Sequence, residues 1–502
     1  MVMERKGKAS VIAHVRVSRR SLLALGVTQS AASGLLAACG AAAGPATAAT
    51  SAGSISTATS SAAQTTATAN AAAAKPTATP LPTHQGGKGA TRLRFESRAD
   101  AGIIPTWNAI VDAFVKANPD ISVSHEPVSG NAYERYTVEY AGGTAPDVME
   151  FEVKQLVAWG GKGVLLALDP YVAKSAVTHA QDFFPITWSK CLYQGKPIAI
   201  PYDTTPVAIF YNPDLFQAAG VPLPPKEWGS SQWTWDTFLS AAQKLTKADG
   251  SQFGYTQSTW WVYSLPWIWA NGGHVVNKDI TKATLTDTVV TDAVQWLVDL
   301  MWKYKVWPDG KTASKLGPTD PFFVGKYAMA TNGTYYIPAI KAGIKVKWDL
   351  APMPTGKAGV WTRDPSDSLA ANGQGKNKDA AWKFVEFFTG PQGEEMVGHL
   401  GRGIPARSSV ARSDKFLHQG DGIDWKVFVD ATSHEGVQAV TDVWPTMDST
   451  ISKGTGKMWS NQESAKDAYT ALEQQVQAVL DQAKARRDLA TYLPVGWSAP
   501  QY

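Results

Sequence analysis

The apolar positions of this chain fall into two alternating patterns from about residue 91 onward. Short apolar-rich runs read as strands at 92–97 (RLRFES), 121–125 (ISVSH), 147–151 (DVMEF), 197–201 and 207–211 (VAIFY). Between them, apolar residues recur at helical spacing. Trp107, Ile110, Val111, Phe114 and Val115 make one such face, which Asn118 and Pro119 end. A short helix is predicted over 131–140, broken by Gly142 and Gly143. Asn212 and Pro213 open another, carrying Leu215 and Phe216. Thr234 is a good N-cap for a helix whose apolar face is Trp235, Phe238, Leu239, Ala242 and Leu245. Val294, Leu297, Val298 and Met301 mark a further helix, and Ala465, Ala468, Leu472, Val476, Val479 and Leu480 a long one near the end. Strands alternating with helices predict an α/β architecture with a largely parallel sheet. No repeat of solenoid type is present.

The pattern before residue 91 is different. Residues 1–38 read as a signal peptide, with Arg5, Lys6, Lys8 and Arg16 ahead of the twin Arg19 and Arg20. The apolar stretch that follows contains Gly26, Thr28 and Ser30, and is far short of the roughly 20 apolar residues of a spanning helix. It ends in Leu36, Ala37, Ala38 and Cys39, similar to the lipobox of bacterial lipoproteins. That resemblance implies a lipidated Cys39 at the start of the mature chain. Multiple acyl tails give stable membrane attachment where one is marginal. Residues 39–90 are almost all Ala, Thr, Ser, Gly and Pro, so they are expected to be a disordered spacer.

About 410 residues remain, which suits two domains better than one. The net charge of +4 over 502 residues, with no basic stripe, argues against nucleic acid as a partner. With two cysteines in all and Cys39 lipidated, Cys191 has no disulfide partner, and it reads as a small buried apolar residue. The eight histidines are scattered, so no metal and no cofactor is expected. No Gly-x-Ser-x-Gly, His-Glu-x-x-His, P-loop or post-strand Gly-x-Gly-x-x-Gly appears, which argues against an enzyme.

Taken together, several segments resemble the family 1 extracellular solute-binding proteins, the group that includes maltose-binding protein. They are GGTAPDVMEFE (142–152), GKGVLLALDPYV (161–172), YQGKPIAIPYDTTPVAIFYNPDLFQAAGV (193–221), WTWDTFLSAAQKLT (233–246), FFVGKYAMATNGTYYI (322–337), WDLAPMPTGKAG (348–359) and KNKDAAWKFVEFF (376–388). Each alone is weak; seven in the family's order are specific. Two departures stand near where ligands sit. Tyr335 replaces the family's Trp, and the loop at 364–367 lacks the usual glycine pair.

The resemblance implies an α/β, two-lobed periplasmic-binding-protein-like fold of type II with a ligand cleft between the lobes. Lobe one is expected at 91–205 plus 353–410 and lobe two at 206–352 plus 411–490, followed by a tail at 491–502. Three crossings are expected near Thr205, Met353 and Val410. The implied role is the binding component of an ABC importer, held at the outer face of the membrane and working as a monomer with membrane permease subunits.

Open α/β sheets bind ligands beyond the carboxyl ends of their strands, which singles out 97–102, 152–155 and 202–205. The expected ligand is a carbohydrate, because 20 tryptophans and 16 tyrosines exceed what cores alone need. Flat rings cover sugar C–H faces, and carboxylates and arginines bond the hydroxyls. Candidate contacts are Asp203, Tyr202, Glu152, Asp100 and Arg98 at strand ends. Trp260 and Trp261 come from the densest aromatic run (260–269), read as a helix that Pro266 breaks or kinks. Tyr335, Arg363, Asp367, Arg402 and Trp444 complete the set, with Trp459 a further stacking candidate. For each the ordinary alternative is structural: a cap, a hinge contact, a solvated loop charge or a core ring. A glycerol-phosphate-type ligand is the nearest rival to sugar. It would want a cation and helix N-terminal amides at the cleft. A glycosidase-like carboxylate pair and a purely adhesive role are the more distant readings.

Overall fold

The computed structural model describes residues 83–99, 102–436, 438 and 440–486, all within one compact unit of the chain. The signal segment, Cys39, Asp100 and the tail expected at 491–502 lie outside the described residues.

Two sheets organise the body. The first has six strands in the order β1-β3-β2-β4-β12-β7. They are β1 (Thr83–His84), β2 (Thr91–Arg98), β3 (Ile121–Val128), β4 (Val148–Glu152), β7 (Ile200–Pro201) and β12 (Asp367–Ala371). A small hairpin, β5 (Leu192–Tyr193) with β6 (Lys196–Pro197), precedes β7. β8 (Asp203–Thr204) pairs with β13 (Ile404–Pro405). The second sheet has β9 (Val207–Tyr211) between β10 (Met329–Gly333) and β11 (Asp349–Ala351).

β2 shows why these residues make these elements. Leu93 and Phe95 point to one face and are buried under the helices Ile104–Ala117 and Lys378–Phe388. Arg94, Glu96 and Arg98 alternate onto the other face, the side covered by the helix Ala132–Gly142. β9 is buried on both sides, and its faces serve different cores: Val207, Ile209 and Tyr211 join one, Ala208 and Phe210 the other. A continuous apolar run is what such a doubly covered strand requires.

The expected parallel sheet is only partly present. β2 runs parallel to β3 and β4, but β1, β12 and β7 are antiparallel to their neighbours, and the second sheet is antiparallel throughout. β12 runs backward because the chain re-enters the first sheet from the second lobe. It therefore starts at the edge where β2 and β4 end, with Asp367 opposite Glu152.

Other boundaries also move. The spacer expected to reach residue 90 is cut short, since Thr83 and His84 pair with Ser124 and Val123. The crossing expected near Met353 falls at 363–366, because Met353 and Val360 still pack in the second lobe's core. The chain leaves the first lobe between β8 and β9. It passes again after Ala406, in the first lobe's core, and before the helix Trp425–Ala431, which packs on β9. The aromatic run is two short helices, a 3-10 turn Trp261–Ser264 and an α-helix Leu265–Ala270. Pro266 lies in the first turn of the latter, where its missing N–H costs nothing, so it starts a helix rather than breaking one. Cys191 is fully buried.

Candidate functional site

The carboxyl ends of β2 and β4, the start of β12 and the β8–β13 pair meet at one edge of the first sheet, and their polar side chains form one network. Arg98 Nη2 lies 3.0 Å from Glu150 and 2.6 Å from Asp367, while its Nη1 donates to Glu152 at 2.9 Å. Arg402 Nη1 donates to Asp367 at 2.6 Å and to Asp203 at 3.2 Å. The backbone N–H of Asp367 donates to Asp203 Oδ1 at 2.8 Å. Tyr202 donates its hydroxyl to Glu150 at 2.6 Å. Gly403 makes room for this: a Cβ there would lie 2.6 Å from Asp203 Oδ2.

Burial and charge set the ionisation of the group. Burial pushes Asp203 well above the ordinary carboxylate range, Asp367 adds to this, and Arg402 opposes it. Burial also pushes Asp367 up, against Arg98 and Arg402. Glu152 would be raised by burial, but Lys154, 2.8 Å away, and Arg98 pull it down to about 2. Glu150 is likewise drawn down against burial by Arg98 and then Arg402. About a quarter of the Arg98 and Glu152 side chains stays open to solvent.

A second group comes from the other lobe. The Trp260 ring carries Lys154 Nζ at 4.7 Å and the Arg363 guanidinium at 5.5 Å from its centroid. Arg363 also lies 5.1 Å from the Tyr263 ring, and the Tyr263 and Tyr335 hydroxyls hydrogen-bond each other. Trp260 donates its indole N–H to Asp448 at 2.8 Å, which fixes the ring. Tyr335 folds back over its own backbone at Gly333, where a Cβ would lie 2.2 Å from Tyr335 Cε1. Trp260 and Tyr335 are both part-exposed. Lys154, from the turn after β4, joins the two groups by holding Glu152 and covering Trp260.

The structure thus brings Arg98, Glu152, Asp203, Asp367, Arg402, Trp260, Tyr335 and Arg363 into one region. It removes three expected contacts. Tyr202 is wholly buried edge-on against Trp107 and Phe388. Trp261 and Trp444 are each 1% exposed and pack on one another, centroids 5.5 Å apart, in the second lobe's core. These rings have no face to offer a ligand here. Trp459 packs on Trp307. Sequence reasoning missed Glu150, Tyr263 and Lys154. Lys154 was signalled by its place in the strand-end segment 152–155. Among the described residues no group of three His, Cys, Asp or Glu side chains is arranged to hold a metal, and no helix is long and apolar enough to cross a membrane.

Two lobes, chain crossings between them and a polar and aromatic cluster where they meet define the class of two-lobed binding proteins. The chain belongs to the bacterial extracellular solute-binding protein family, whose profile matches residues 100–395. Among curated proteins it is 23% identical over 352 residues to a binding protein of Brucella abortus (strain 2308), covering 66% of this chain and 83% of that one. It is 24% identical to the maltotriose-binding protein of Pyrococcus abyssi, covering 57% and 60% of the two chains. Among solved structures, a Listeria monocytogenes ABC substrate-binding protein in complex with cycloalternan superposes with a TM-score of 0.70 at 22% identity, covering 78% of this chain and 99% of that one. The GacH receptor of Streptomyces glaucescens, solved without ligand and with acarbose, gives 0.68 at 23%, covering 79% and 100%.

Proposed function

We propose that this protein is the extracytoplasmic substrate-binding component of an ABC importer, and that it captures a carbohydrate between its lobes and releases it to a membrane permease. The observation that carries this reading is the meeting of two chemistries at Lys154, which holds Glu152 and lies over the Trp260 ring. On one side stand Arg98 and Glu152, charged side chains about a quarter open to solvent and suited to bonding hydroxyls. On the other stand the flat rings of Trp260 and Tyr335, suited to the apolar face of a pyranose. Similar proteins that bind maltotriose, cycloalternan and acarbose support the carbohydrate class. The protein binds its ligand without transforming it. Export through the twin-arginine signal and lipid anchoring at Cys39 would hold it as a monomer at the outer face of the membrane, with the segment before Thr83 as tether.

A thermal-shift screen of the full chain tests this. A ligand at about 100 times its dissociation constant stabilises the folded state by about 2.7 kcal/mol. A shift with one class among mono- and oligosaccharides is expected. Shifts only with amino acids or peptides would overturn the carbohydrate reading and keep the importer role.

A further inference from the structure

Three arginines are buried among the described residues: Arg363, Arg402 and Arg407. Arg402 is ion-paired to Asp203 and Asp367, and Arg407 to Asp182. Arg363 is different. It is 2% exposed, its Nε has no hydrogen-bond partner, and no carboxylate of the described residues lies within ion-pairing distance of its guanidinium. Its side-chain neighbours are the Trp260 and Tyr263 rings. Two aromatic faces soften the cost of burying a cation but do not replace a counter-charge.

The surroundings do not supply one. The neighbouring Asp364 is turned away, with Lys190 at 2.6 Å and the Thr205 N–H at 2.6 Å on its carboxylate. Asp367 is taken by Arg98 and Arg402, and Glu152 by Arg98 and Lys154. Asp448, the carboxylate on the aromatic side, accepts the indole N–H groups of both Trp260 and Trp261. Arg98, Lys154 and Arg402 each have a carboxylate partner, and the cation without one is Arg363, on the aromatic side.

Its placement is rigid. Arg363 begins the crossing from the second lobe to β12, its carbonyl accepts from Val207 N–H at 3.1 Å, and Thr362 before it bonds Val207 in turn. Lys154 reaches the same indole from the first lobe, so separating the lobes would uncover Arg363 beside Trp260.

We infer that the ligand carries an anionic group, a carboxylate or a phosphate, and that this group pairs with the guanidinium of Arg363 while the rest of the ligand lies against Trp260. The inference rests on the carbohydrate reading above and narrows it to acidic carbohydrates. Charged hydrogen bonds contribute about 1.5–3 kcal/mol each, so an acidic sugar should bind about 10-fold or more tighter than its neutral counterpart.

The test is titration calorimetry on the full chain with matched pairs: glucuronate against glucose, galacturonate against galactose and glucose 6-phosphate against glucose, with inorganic phosphate alone as a further probe. Arg363→Gln and Arg363→Lys are titrated in parallel. The expected result is tighter binding of at least one acid partner, lost in Arg363→Gln and partly kept in Arg363→Lys. Preference for a uronate would name a carboxylate, and preference for the phosphate ester a phosphate. Melting of the ligand-free chain is the second readout. Removing an unpaired buried charge should leave Arg363→Gln as stable as the parent or more so. Equal binding of neutral and acidic partners, or an acid preference unchanged in Arg363→Gln, would overturn the inference and leave the carbohydrate reading standing. Binding of phosphate alone, with no sugar, would overturn the carbohydrate reading and keep Arg363 as an anion contact. A destabilised ligand-free Arg363→Gln chain would show that Arg363 has a structural partner and would contradict the inference. Binding of none of these probes would overturn both.

Discussion

At the scale of single residues, the strand-end network is organised by two arginines that share Asp367. Arg402 holds both Asp203 and Asp367, and it is nearly buried. Breaking a buried pair by removing one partner costs about 3–5 kcal/mol, because the other charge is left without compensation. Arg402→Met should therefore destabilise the protein by several kcal/mol in denaturant unfolding. Asp203→Asn should be far milder. Asp203 is already pushed toward its neutral form, and an amide oxygen can still accept the Asp367 N–H. Equal losses in the two variants would show that Asp203 is charged in the folded state. Burial was the property least visible at this scale from sequence. Tyr202, Trp261 and Trp444 were chemically reasonable sugar contacts, yet a ring's usefulness depends on which face is free, and packing decides that. Trp260 and Trp261 are neighbours in the chain, and both donate to Asp448, yet only Trp260 is part-exposed.

At the scale of elements, the apolar periodicity was a reliable guide where it was strong. The helices Ile104–Ala117, Trp235–Lys244, Thr288–Trp302 and Ala465–Leu480 stand where their spacing placed them, and Thr234 caps the second through a hydrogen-bonded capping box. Strand direction was not legible. A strand's residues carry no mark of which way its neighbour runs, so the expectation of a largely parallel sheet missed the antiparallel β12 and second sheet. Directions follow instead from where the chain crosses between lobes. The crossing at 363–366 was placed too early for a related reason. The segment from Met353 to Val360 is apolar and turn-rich, and only its packing against the second lobe's core assigns it there. Even so, the strand-end rule selected Arg98, Glu152 and Asp203 before any contact was known, because the carboxyl ends of β2 and β4 share one edge. Asp367 and Arg363 came from the loop before the Lys378–Phe388 helix.

At the scale of the whole molecule, the lobes are tied by a buried polar cluster at two of their crossings. Lys190 lies 2.6 Å from Asp364 and 3.2 Å from Glu435, and Thr204 donates to Glu435 at 3.2 Å. Burial, with Asp364 close by and Lys190 opposing, pushes Glu435 up from the ordinary 4.5 to about 8. The folded state thus holds a proton that the unfolded chain releases. Its stabilising effect is complete below about pH 4.5 and is lost as pH rises to about 8. Glu435→Gln, which mimics the protonated form, should melt at a temperature that falls less between pH 5 and 8 than the parent's does. Parallel melting curves across that range would show that Glu435 is ionised in the folded state.

Ligand capture by this protein turns on a carbohydrate lying against Trp260 between the lobes. The most direct measurement is the dissociation constant of the best carbohydrate, by titration calorimetry, for the parent chain and for Trp260→Ala. Loss of a stacked aromatic with its buried area should weaken binding about 10-fold or more, while Trp459→Ala, whose ring packs on Trp307, should leave the constant unchanged. Equal affinities for the parent and Trp260→Ala, or no carbohydrate bound by the parent, would contradict it.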